Sequence, residues 1–205
     1  MKWYSVGSLS FPASWVAIAF AFIGAYLYLR LTLEKQAADL YGNAFFILIL
    51  TWKLSVILFQ FETIIKHPFS MVYFNGGMKG YWLGIAAAFL YFFLSEKKFQ
   101  VQENTLHVKV WIVIITVYEL VFYLLNKEHI LFAGLQLIGG IAFFMLLNKN
   151  SGNPIWGIQI LVFFTCFQGL IYSLEGNLLS VPIATYTSGT LLIAWTAWKG
   201  SRKNQ

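Results

Sequence analysis

Seven apolar runs take up most of this chain and leave only short connectors between them. They are Phe11–Leu31, Leu40–Phe61, Gly77–Leu94, Val108–Leu125, His129–Leu147, Pro154–Leu174 and Val181–Trp198. A helix crosses the hydrocarbon layer with about 20 apolar residues, within a range of about 17–25. The third, fourth and seventh runs lie near the short end of that range. The runs are continuous and do not alternate, which points to helices and away from a β-barrel. The expected fold is an all-α integral membrane protein. It is a single polytopic domain over residues 1–205, a bundle of about seven transmembrane helices with no soluble domain. The first run exceeds the apolar core of a signal peptide, about 7–15 residues, and is expected to be a retained span.

Charge supports the same class. Only 11% of residues are charged, against about 25% in soluble domains. The lone cysteine, Cys166, excludes a disulfide scaffold and disulfide-exchange chemistry. The net charge is +6, but no basic stretch interleaved with aromatics stands in a polar region, so nucleic acid is not an expected partner. With the N-terminus outside, nine basic residues fall inside (Arg30, Lys35, Lys97, Lys98, Lys109, Lys149, Lys199, Arg202, Lys203) and four outside (Lys2, Lys66, Lys79, Lys127). Basic residues prefer cytoplasmic loops, so the expected orientation is N-out/C-in.

Two charges fall well inside runs, away from their ends, Lys53 in the second and Glu119 in the fourth. A charge at the bilayer centre costs at least about 2.5–3.5 kcal/mol, so each should face a partner or a wet cavity. The simplest expectation is that they approach each other. A structural ion pair, a snorkelling lysine and a ligand site all stay open. The stretch from His67 to Gly84 is the most unusual, with four glycines (Gly76, Gly77, Gly80, Gly84) within nine residues. It could offer backbone N–H groups to an anionic headgroup, or let helices pack closely. It could be a loop, a re-entrant segment or the start of the third span. His67, His107 and His129 are scattered without metal-ligand spacing, and no cofactor is expected.

The polar segments resemble those of the bacterial prolipoprotein diacylglyceryl transferase family. Asp39-Leu40, an apolar run and Lys53-Leu54-Ser55 look like its second helix. Pro68 through Asn75-Gly76-Gly77 looks like the stretch ahead of its catalytic histidine. Gly157-Ile158-Gln159-Ile160 through Gly169 to Glu175-Gly176-Asn177 is similar to its sixth helix. The likeness runs from about Phe11 to Lys199. It implies seven helices, N-out/C-in, in a bacterial plasma membrane. The partners it implies are a phospholipid such as phosphatidylglycerol, and a lipoprotein or another membrane protein.

On that alignment the family's functional residues are replaced. Its catalytic histidine falls on Tyr81 and its fourth-helix arginine on Tyr123, while Asn126 keeps an asparagine and Glu119 stands for a glutamine. In the sixth helix its arginine falls on Gln168, its glutamate on Tyr172 and a second arginine on Glu175. Diacylglyceryl transfer needs cations on the phosphate and a base for the thiol. Tyrosine and glutamine supply neither near neutral pH. The expected function is that of a diverged, non-catalytic relative binding phospholipid, lipoprotein or a membrane partner. Its cleft would use Lys53, Asn75, Gly76, Gly77, Lys79, Tyr81, Glu119, Tyr123, Asn126, Gln168 and Tyr172. Two alternatives stand beside it: an active transferase on lipid or lipoprotein with altered catalytic residues, and a small transporter or channel using Lys53 and Glu119.

Overall fold

The computed structural model describes residues 3–6, 9–32, 34–66, 75–95, 105–126, 130–150 and 153–203. Two short strands come first, β1 (Trp3–Val6) and β2 (Leu9–Pro12), paired antiparallel with Tyr4 opposite Phe11 and Val6 opposite Leu9. Helices follow: α1 (Ala13–Leu31), α2 (Lys35–Phe59), the short α3 (Phe61–Lys66), α4 (Gly77–Ser95), α5 (Leu106–Asn126), α6 (Ile130–Asn148), α7 (Pro154–Leu174) and α8 (Val181–Lys203). Each of the seven expected runs is largely helical where described, the first beginning in β2 at Phe11-Pro12 and the second broken at Gln60. Among the described residues six helices, α1, α2 and α4 to α7, are long and apolar enough to cross a membrane, which makes this a multi-pass membrane protein. The seventh run forms the 23-residue α8, which is not among the six. Its hydroxyls dilute its apolar character, and several bond back into their own helix. Thr185 donates to the Val181 carbonyl, Thr187 to Ile183 and Ala184, and Thr196 to Ile193. Such back-bonding satisfies a hydroxyl where water is scarce.

The hairpin departs from the all-helical expectation. Trp3 to Pro12 has a strand-like composition around Gly7-Ser8, a pair that favours tight hairpin turns. The Tyr4 hydroxyl donates to the Leu125 carbonyl at 2.7 Å, tying the hairpin to the end of α5.

The chain forms two compact units. Residues 29–101 make one, and residues 1–28 with 102–205 make the other. In the 29–101 unit, α2 packs along α4. Gly76, Gly80 and Gly84 recur at four-residue intervals and meet α2 without side chains of their own. A Cβ on Gly80 would lie 2.0 Å from Ser55 Oγ, and one on Gly84 would lie 2.7 Å from the Leu48 carbonyl oxygen. This is small-residue packing of apolar helices, which draws two backbones together where lipid gives no hydrophobic drive.

In the larger unit, α5, α6, α7 and α8 pack on one another. Each buries one stripe at helical spacing: Ile112, Ile115, Glu119, Tyr123 and Asn126 on α5; Ala133, Gln136, Gly140 and Leu147 on α6; Leu161, Phe164, Gln168 and Tyr172 on α7; Tyr186, Thr190 and Ile193 on α8. The lower part of this core is apolar, with Phe164, Leu161, Ile112 and Ile160 packed together. The upper part is polar, and the candidate site lies there. Val117 of α5 lies 3.3 Å from where a Cβ on Gly24 of α1 would stand, and Tyr28 meets Phe144 edge-on.

Candidate functional site

Glu119 is fully buried among α5, α7 and α8. Its Oε1 accepts from the Tyr172 hydroxyl at 2.8 Å and from the Tyr186 hydroxyl. Its Oε2 is buried and has no hydrogen-bond partner among the described residues. Leaving one carboxylate oxygen unpaired away from water is costly, on the order of 1–3 kcal/mol or more for a charged group.

One turn further along both helices, the same chemistry recurs with the roles exchanged. Tyr123 of α5 hydrogen-bonds the Glu175 side chain at the end of α7. Glu119 pairs with Tyr172, and Tyr123 with Glu175, so α5 and α7 are joined by two tyrosine–glutamate rungs. Glu175 is half-buried, but its Oε1 is buried and unpartnered among the described residues. Tyr118 and Tyr123 bracket Phe122, stacked on it at 5.9 Å and edge-on at 5.9 Å respectively. Tyr172 and Tyr186 meet edge-on at 6.4 Å.

Local sequence sets this geometry. Asn153 caps α7, its Oδ1 accepting from the Ile155 and Trp156 N–H groups, with Pro154 in the first turn. At the other end Gly176 adopts φ +73°. The Gly176 N–H reaches the Ser173 carbonyl and the Asn177 N–H the Tyr172 carbonyl. That is a Schellman stop, which a glycine in the left-handed region makes possible. It ends the helix with Glu175 as the capping residue, beside Tyr123.

The expected cleft residues divide between the two units. Glu119, Tyr123 and Tyr172 converge as described. Asn126, on the same stripe, donates to the Phe122 carbonyl at 2.9 Å. Gln168 faces Gln136, and the two buried amides bond each other reciprocally. In the other unit, Asn75 caps α4: its Oδ1 accepts from the Gly77 N–H at 2.9 Å, with Gly77 at φ +59°. The Gly76 N–H donates to the Trp52 carbonyl at 3.2 Å. The Gly76 and Gly77 N–H groups are therefore engaged within the protein. The glycine-rich stretch from Gly77 on is the start of a helix. Lys79 is exposed, with its ammonium 5.9 Å from the Phe59 ring centre. Tyr81 stands edge-on to Trp82, and Lys53 sits half-buried in the middle of α2. The partners shown for Glu119 are tyrosines, and its pairing with Lys53 stays an expectation. His107 lies in the first turn of α5. His67 and His129 fall outside the described residues.

The residues reached without the resemblance were Lys53, Glu119 and the glycine stretch. Gln136 and Tyr186 were not anticipated. Gln136 is the one glutamine within the apolar helix Ile130–Asn148, and its place on the Ala133–Gly140 stripe could have marked it.

No protein family, curated protein or solved structure matches this chain.

Proposed function

We propose that this chain is a non-catalytic membrane protein of a bacterial plasma membrane, oriented N-out/C-in. Its scaffold is like that of prolipoprotein diacylglyceryl transferases, and it holds a phospholipid or a lipoprotein segment without transferring it. The observation behind this reading is the contact of Tyr172 with Glu119. The resemblance sets these positions on the fourth and sixth helices of that family, and here they touch. Tyr172 spends its hydroxyl proton on Glu119, where transfer from phosphatidylglycerol would need a cation for the phosphate.

The test uses the purified full chain in mild detergent. Native mass spectrometry should find a co-purifying phospholipid or lipoprotein. Incubation with labelled phosphatidylglycerol and a lipobox peptide should leave the label in the lipid. Transfer of the diacylglyceryl group to the peptide cysteine would overturn the non-catalytic reading. Protein free of any such ligand would overturn the binding reading.

A further inference from the structure

The two rungs that join α5 and α7 have a consequence for what can bind there. Tyr172 and Tyr186 spend their only hydroxyl protons on Glu119, and Tyr123 spends its own on Glu175. With Glu119 ionised, what is left is acceptors: Glu119 Oε2, Glu175 Oε1 and the lone pairs of the tyrosine oxygens. An anion or a neutral acceptor finds no donor in such a place. A cation, or a group bearing several N–H donors, finds nothing else but partners.

The number of charges follows from burial. Glu119 is wholly buried, whereas Glu175 is half-buried and keeps some access to solvent. An ionised Glu119 calls for one compensating charge. Among the described residues no group of three or more acidic, histidine or cysteine side chains could hold a metal ion. The oxygens that remain fall short of the six to eight that calcium takes. We propose that the Glu119–Glu175 pair, with Tyr123, Tyr172 and Tyr186, forms a binding site for a small monovalent cation. The ligand is an alkali metal ion or the ammonium end of a primary amine. The site is independent of whether the scaffold holds a lipid.

A ligand that binds only the folded protein raises its melting temperature in a saturable way. The full-length protein in detergent is melted in sodium, potassium and ethanolammonium chloride, with choline chloride balancing ionic strength. Choline carries the charge without N–H donors and is bulkier. The expected result is a saturable upward shift over choline in at least one of the three salts. The shift should be absent in Glu119→Gln and reduced in Glu175→Gln. A shift with sodium or potassium assigns a metal ion, and one with ethanolammonium alone assigns an amine head. If Glu119→Gln does not fold, Glu175→Gln and Tyr123→Phe carry the test, because both positions lie nearer the helix ends. Identical melting in all four salts would overturn the proposal. So would a shift kept at full size in both glutamine variants or, if only the second set folds, in Glu175→Gln and Tyr123→Phe.

Discussion

Gln136 and Gln168 clasp each other across α6 and α7, each Nε2 donating to the other's Oε1, at 2.7 and 2.9 Å. Both side chains are fully buried. The pair is self-sufficient, so removing one half strands the other. Gln136→Leu or Gln168→Leu alone should cost about 1–3 kcal/mol, the desolvation cost of an orphaned amide. The double Leu variant should recover most of that loss. A double-mutant cycle on detergent unfolding measures the coupling. Additive losses would show that the clasp does not hold the helices.

Tyr172→Phe and Tyr186→Phe each delete one of the two donors on Glu119 Oε1. A hydrogen bond to a charged group is worth about 1.5–3 kcal/mol, and each single change should cost that order. The double change should cost more than the sum, since it leaves a buried carboxylate with no donor at all. Melting temperatures of the three variants give the comparison.

Gly84→Ala would place a Cβ 2.7 Å from the Leu48 carbonyl, a backbone atom that cannot swing away. The α2–α4 contact should open, at a cost of about 1–3 kcal/mol. Gly42→Ala in α2 meets nothing within 4 Å. It should be neutral or gain up to about 1 kcal/mol by relieving the helix of a glycine. Chemical unfolding of the two variants should move in opposite directions or leave Gly42→Ala unchanged.

Gly176→Ala forces a side chain into φ +73°, at about 1–2 kcal/mol. Gly176→Asn should cost less, because asparagine tolerates this region. Since the stop after α7 sets where Glu175 stands, the alanine variant should also weaken the rung to Tyr123. Tyrosine ultraviolet absorbance is the readout.

Hydropathy alone located the spans, because continuous apolar runs leave a helix little alternative in lipid. It read α8 as a seventh span, and there Thr185, Thr187, Ser188, Thr190 and Thr196 make a helix of intermediate polarity that is not among the six most apolar. It also missed the hairpin, whose strands of Trp3–Val6 and Leu9–Pro12 are too short to register in a window sized for helices. Within the site, Glu119 was legible as a charge out of place. Its partners were not legible as partners, because tyrosines read as interfacial aromatics until a fold brings them to a carboxylate. The glycine stretch was legible as unusual. Its use as a close-packing face depended on Ser55 and Leu48 of another helix, which spacing within one segment cannot reveal.

The larger unit is assembled from both sides of a 73-residue interruption, residues 29–101. The ribosome therefore delivers α1 long before Val117 and Phe144, the neighbours that complete it. In the interval α1 stands in lipid without them. Its Ala13, Ala17, Ala21 and Ala25 are buried in the finished protein. Alanine carries no polar group to satisfy and little bulk to withdraw, so this helix can wait in the bilayer and later be joined without first shedding partners.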